Sequence, residues 1–127
     1  MMDRVIDLDR AAAEIVARAA VWTEVGLGVS PVTWRDGRTA WPYRLENDRA
    51  LITDPDSLGL RVHGPDGEAE LVLVLYRGGW ADLDLLIADE IVVEVATVET
   101  PDAFGAFLDA VMTRFLGAPS ESGTITP

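Results

Sequence analysis

Residues 58–97 read LGLRVHGPDGEAELVLVLYRGGWADLDLLIADEIVVEVAT, and no other stretch of the chain constrains the fold as strongly. Leu58, Leu60 and Val62 alternate with Gly59, Arg61 and His63, and Ala69, Leu71, Leu73 and Leu75 resume that alternation after Gly64-Pro65-Asp66-Gly67. A period of two, interrupted by turn residues, is the signature of antiparallel strands that bury one face. With 64–67 as the loop, His63 falls opposite Glu68 and Arg61 opposite Glu70 on the outer face, while Leu60 meets Leu71 on the inner. A three-residue reversal at Arg77-Gly78-Gly79 then sets Tyr76 opposite Trp80 outside and Leu75 opposite Ala81 inside. The next strand alternates Ala81, Leu83, Leu85 and Ile87 with Trp80, Asp82, Asp84 and Leu86, which makes its outer face acidic. Taking Ala88-Asp89-Glu90 as the last turn sends Ile91, Val93, Val95 and Thr97 inward and Val92, Glu94 and Ala96 outward. In that register Asp84 faces Glu94, a like-charge pair that a stable sheet normally avoids.

Working outward, a helix is expected on each side of this meander. From Asp7 or Asp9, either of which could cap, to about Glu24, Leu8, Ala12, Ile15, Ala19 and Trp22 recur at helical spacing before Gly26 and Gly28 stop the run. After the sheet, Thr100-Pro101-Asp102 supplies a hydroxyl cap, a first-turn proline and an acid at the positive dipole end. Phe104, Phe107, Leu108, Val111, Met112 and Phe115 follow as one apolar stripe that runs to Gly117. Between the first helix and the meander, VSPVTWRDGRTAWPYRLEND carries an Asp36-Gly37 turn between two Trp-containing runs and reads as a hairpin, with Pro42 placing the second run at an edge. The segment TDPDS, residues 53–57, reads as a loop. The expected architecture is α+β: an antiparallel β-meander sheet with an N-terminal and a C-terminal helix packed on it. Residues 1–118 form a single domain and 119–127 a flexible C-terminal tail.

With 127 residues, 49% of them hydrophobic and 25% charged, the chain has the size and composition of one ordinary globular domain. It contains no cysteine, which excludes disulfides, thiolate metal sites and cysteine nucleophiles. Acids scattered through MMDRVIDLDRAAAEIV leave no uninterrupted apolar run, so neither a secretory signal nor a membrane span is expected there, and cytoplasmic residence is the simplest expectation. All ten basic residues are Arg, a bias of the kind that a GC-rich bacterial genome produces. A net charge of −12 argues against nucleic acid or an anionic membrane as a partner. The excess is uneven, since residues 57–127 hold twelve acids against Arg61, Arg77 and Arg114. It fits either a solvated surface that keeps the protein soluble or steering toward a basic protein.

Chemistry-bearing motifs are scarce. His63 is the only histidine and no serine stands in a nucleophile-elbow context, so a surface or edge histidine is expected rather than a catalytic one. One histidine without cysteine leaves no transition-metal site, and no cofactor is called for. Asp82, Asp84 and Glu94 form the one carboxylate cluster the registers produce, on a regular strand rather than in a metal-binding loop. Tyr76 and Trp80, set beside Val72, Val74 and these acids, suit a binding surface whose partner supplies Arg or Lys, so Tyr76, Trp80, Asp82, Asp84 and Glu94 are the candidate partner-binding residues. A second layer over Val72 and Val74, either the first helix or the Trp34-Trp41 hairpin, is the competing expectation. Gly78-Gly79 precedes an acidic strand and no helix, which favours a turn over a phosphate site.

The stretch ELVLVLYRGGWADLDLLIADEIVVEVATVETPDAFGAFLDAVMTRFLG resembles the closing meander and helix of small acidic immunity proteins from bacterial, chiefly actinobacterial, polymorphic toxin systems. The likeness rests on a hairpin with a Gly-Gly-Trp turn followed by a capped helix, and covers roughly half the chain. The resemblance implies a non-enzymatic cytosolic inhibitor that binds and neutralises one cognate toxin domain, a basic one where the inhibitor is acidic. An acidic secretion chaperone, which would dimerise, and a small ligand-binding or enzymatic domain with a pocket lined by Trp34, Trp41 and His63 are the alternatives. Both monomer and homodimer are compatible with the sequence.

Overall fold

A computed structural model describes residues 3–38 and 45–124, from residue 116 on as backbone. Helix α1 spans Leu8–Glu24 and helix α2 Pro101–Thr124, flanking seven strands: β1 Gly28–Val29, β2 Thr33–Asp36, β3 Leu45–Glu46, β4 Pro55–His63, β5 Glu70–Tyr76, β6 Trp80–Ile87 and β7 Glu90–Thr97. All pair antiparallel in one sheet of order β3-β2-β4-β5-β6-β7, with β1 beside the end of β4. This is the expected α+β architecture. Trp41 and Pro42, and with them the second run of the expected hairpin, lie outside the described residues. Within those residues β2 does pair antiparallel with β3, Trp34 opposite Glu46.

The capping residues act as their chemistry requires. Asp7 accepts from the backbone N–H groups of Asp9 and Arg10 at 3.0 and 3.1 Å, and Gly26 leaves the helix at φ +96°. The hydroxyl of Thr100 accepts from the N–H of Ala103 at 3.0 Å. Helix α2 continues past Gly117 as far as Thr124. A glycine inside a helix costs on the order of 1 kcal/mol without forbidding the turn.

Both helices cover the same face of the sheet. Leu8, Ala11, Ile15 and Trp22 of α1 meet Phe104, Leu108, Val111, Met112 and Phe115 of α2 over Leu58, Leu60, Val62, Leu71, Leu73, Leu75, Ala81, Leu83 and Leu85. Where the helices cross, a Cβ on buried Gly105 would stand 2.6 Å from the Glu14 carboxylate and 2.9 Å from the Arg18 guanidinium, so only glycine leaves these groups in place. Arg18 there bonds Glu14 and reaches across to Asp109 at 2.7 Å. That guanidinium holds the Asp109 carboxyl below the usual carboxylate range.

The three sequence-derived registers fare differently. At the β5-β6 hairpin Tyr76 pairs with Trp80 and Leu75 with Ala81, as expected. Between β4 and β5 the register is two residues away from expectation: His63 faces Glu70 and Leu60 faces Leu73. The cause is local. The Gly64 N–H donates to the Ala69 carbonyl at 2.9 Å, and Asp66 accepts from the Glu68 N–H at 2.9 Å, so the loop tip is 65–68 and not 64–67. A slip of two preserves the faces, and Glu70 now receives Arg61 on the diagonal at 2.6 Å and His63 at 3.2 Å.

Between β6 and β7 the error is one residue. Ile87 pairs with Glu90, so the turn is Ala88-Asp89 alone, both with positive φ (52° and 67°). This two-residue turn matches the right-handed twist of the strands. Every side chain of β7 therefore exchanges faces relative to expectation. Glu94 opposes Leu83 on the helix side, Asp84 opposes Val93, and the anticipated repulsion between Asp84 and Glu94 does not exist. Also corrected is the 53–57 loop: β4 begins at Pro55, with Asp56 and Ser57 buried.

Candidate protein-binding surface

Opposite the helices, the sheet has a face built from alternate residues of β4 to β7 that no described element covers. Its cross-strand rows follow from the pairings: Ser57, Tyr76, Trp80 and Thr97; Gly59, Val74, Asp82 and Val95; Arg61, Val72, Asp84 and Val93; His63, Glu70, Leu86 and Ile91. Of the five predicted site residues, Tyr76, Trp80, Asp82 and Asp84 share this face. Glu94 is on the other, where Arg114 of α2 grips it through two bonds of 2.9 and 2.7 Å. Arg114 lowers the Glu94 carboxyl below its ordinary range, the behaviour of a strut between strand and helix.

The Tyr76 and Trp80 rings stack at 4.9 Å between centroids with planes 20° apart. Gly78 makes this possible, because a Cβ there would lie 2.4 Å from Trp80 Cζ3. Partial burial, and next the charge of Asp82, push the Tyr76 hydroxyl above its usual value, so it stays a neutral phenol. Asp82 sits between Val74 and Val95, and Asp84 between Val72 and Val93. Neither aspartate forms an ion pair with a described residue, whereas Arg61, Arg77 and Arg114 of the same half of the chain are all paired. The result is two carboxylates set in a valine-lined surface beside an aromatic stack. Val72 and Val74 do not lie under α1; with Thr33, Leu45 and Gly59 they line a shallow cleft of about 320 Å³.

A second cleft, of about 520 Å³, opens near the start of α1 and is lined by Arg4, Asp7, Asp9, Arg49, Pro55 and Arg77 among others. Its charges answer one another. Arg49 pairs with Asp9 at 2.7 Å and lies 5.2 Å over the Trp34 ring; Arg77, nearly fully buried, donates to both carboxylate oxygens of Asp54 at 3.0 Å. Asp54 also binds Arg4, and Arg35 binds Asp56. Arg77 first and Arg4 second hold the Asp54 carboxyl below its usual range. Next to it, buried Asp36 accepts from the N–H groups of Thr53, Arg38 and Asp54 at 2.8, 2.9 and 3.1 Å, which depresses its carboxyl also. This network ties β2, the start of β4 and the β5-β6 turn together. Sequence reasoning missed it; the density of acids around residue 54 facing an Arg in a turn was the available signal.

The pocket of Trp34, Trp41 and His63 is not assembled from the described residues. Trp34 is buried on the helix side, His63 lies on the open face, and Trp41 falls outside the described residues. Among the described residues no cluster of His, Asp and Glu has the geometry to hold a metal ion, and no helix is long and apolar enough to cross a membrane. Comparison with known proteins returns no match: no family model, no curated protein and no solved structure is significantly similar to this chain.

Proposed function

We propose that this chain is a non-enzymatic protein-binding domain, an immunity protein that captures a basic toxin domain on the open face of its sheet and neutralises it. The observation that carries the reading is the pair Asp82 and Asp84, carboxylates with no ion-pair partner among the described residues, flanked by valines and adjoining the stacked Tyr76 and Trp80, whose Tyr76 hydroxyl bonds Asp82. A guanidinium brought onto such a surface gains charge-assisted hydrogen bonds where the flanking valines exclude water, and the aromatic stack offers rigid contact area. The net charge of −12 steers a cationic partner toward the chain. Likeness of the closing meander and helix to immunity proteins points the same way.

The test begins with the neighbouring open reading frame: where it encodes a secreted protein with a toxic C-terminal domain, that domain is co-expressed with this chain. Rescue of growth and a stable complex on gel filtration are expected. Asp82→Arg combined with Asp84→Arg is expected to weaken the complex on the order of 100-fold or more, while thermal unfolding stays close to that of the parent. Glu94→Gln is the control: it should lower stability and leave affinity unchanged, because Glu94 faces the helix. Undiminished toxicity, or an affinity indifferent to the double reversal, would sink the proposal.

A further inference from the structure

The sheet ends unequally. Its β1 and β3 strands are two residues long, which blunts them as templates, but β7 runs eight residues and, among the described residues, pairs only with β6. Soluble proteins protect such an edge with lysine, proline, a bulge or an unneutralised inward charge. Here the β6-β7 register is unbroken over its whole length, the strand reads EIVVEVAT, and its mid-strand charge, Glu94, is neutralised by Arg114. Ile91, Val93 and Val95 are 71%, 67% and 70% exposed.

Backbone polarity identifies which groups are free. In a two-residue hairpin the closing pair, here Ile87 with Glu90, exchanges hydrogen bonds, so Glu90, Val92, Glu94 and Ala96 point their N–H and C=O groups at β6. Those of Ile91, Val93, Val95 and Thr97 point away from the sheet, a row of donors and acceptors with no backbone partner among the described residues, coinciding with the row of exposed side chains.

We infer that β7 is a homodimerisation edge, pairing antiparallel with β7 of a second copy about a twofold axis at Val93. Charge selects that register. Centring the axis one step toward the C-terminus sets Glu94 against its own counterpart, and one step the other way sets Glu94 against Glu90; both oppose like charges. Centred on Val93, Ile91 faces Val95, Glu94 faces Val92 and Glu90 faces Ala96, so no like charges are opposite. The nearest like charges are Glu90 and the second copy's Glu94 on a diagonal, where Arg114 covers Glu94. Asp84, one strand inward, lies about three strand spacings, roughly 14 Å, from its counterpart, and Asp82 lies farther from its own, both beyond the Debye length of about 8 Å at physiological salt. Two paired edges of eight residues bury less than the roughly 1,200 Å² of stable complexes, so the dimer is weak, concentration-dependent and strengthened by salt, the reverse of steering toward a basic partner. The inference stands apart from the proposed toxin binding, since the Tyr76 and Trp80 row stays open in either state.

Since the chain has no cysteine, single substitutions report the register directly. A hydrogen-bonded antiparallel pair has Cα atoms about 5.5 Å apart, within the disulfide range of about 4.4–6.8 Å. Under mild oxidation Val93→Cys should give a disulfide dimer, whereas Ile91→Cys and Val95→Cys, equally exposed, should stay largely monomeric alone and cross-link when mixed. Sedimentation equilibrium of the parent should show a monomer–dimer equilibrium whose dimer fraction rises with added salt. Equal cross-linking at all three positions, none at Val93, or a monomer up to about 1 mM by sedimentation would overturn the assignment; a monomer that forms a toxin complex lost on Val93→Pro would give the edge to the partner instead.

Discussion

Gly79 sits at φ +95° with Val5 Cγ1 2.9 Å and Glu99 Cγ 3.1 Å from where a Cβ would be. Its backbone is engaged as well, for its carbonyl accepts from the Val98 N–H at 2.8 Å, and the neighbouring Arg77 carbonyl accepts from the N–H of Val5 at 2.8 Å. Gly79→Ala is therefore expected to cost about 2–3 kcal/mol through left-handed strain and the collision with Val5. Urea titration would show it as a lower midpoint at unchanged slope, and an unshifted midpoint would refute the account. At this scale some features are legible in sequence and others are not. The Tyr76 and Trp80 stack follows from a Gly-Gly turn of fixed length, because cross-strand neighbours are determined by the loop. Asp36 looks like a turn residue beside Gly37, but its three backbone donors include Thr53 and Asp54, brought to it only by tertiary structure.

Among elements, β7 decides what the surface is. Its existence, length and approximate place are readable from EIVVEVAT, and so is the meander that precedes it. The face it turns outward is not, because Ala88 and Asp89 are poor advertisements for a turn that requires positive φ at both positions. Without an Asn-Gly signal, two residues and three are equally plausible loop lengths, and the difference moves Glu94 through the sheet. The same strain makes a prediction. An L-residue in the left-handed region costs about 1–2 kcal/mol, less for asparagine and little for glycine. Ala88→Asn with Asp89→Gly should therefore stabilise the protein by on the order of 1 kcal/mol, read as a higher denaturation midpoint. If the midpoint falls, the turn is not of this type. At the other hairpin, a loop displaced by one residue at each end altered the partners and left the faces alone, so the inward residues of β4 and β5 were foreseeable, whereas the one-residue shift at β7 took Glu94 out of the acidic patch and Ile91, Val93 and Val95 out of the core.

For the whole molecule, acidity and stability are linked through four carboxyl groups whose folded-state values are lowered: Asp36 by backbone donors, Asp54 by Arg77 and Arg4, Glu94 by Arg114 and Asp109 by Arg18. A depressed folded value means the unfolded chain binds protons first on acidification. Stability from these groups is fully present above the unfolded values of about 4 and is lost as pH falls below them. Urea midpoints should hold between about pH 7 and 5 and drop below about pH 4, with a shallower drop in the Glu94→Gln, Asp109→Asn variant. An identical acid slope in that variant would show that these pairs do not govern the loss.

The division of the core between the two helices has a consequence for synthesis. Helix α1 packs against β1 and β4, whereas β6 receives its cover from α2, the last element of the described chain. A ribosome finishes the meander before it releases the helix that shields Leu83 and Leu85. For those moments the nascent chain carries an unsheltered oily slab, the kind of surface that makes a folding intermediate prone to stick to its neighbours. A chain interrupted before Pro101 would keep that slab bare permanently.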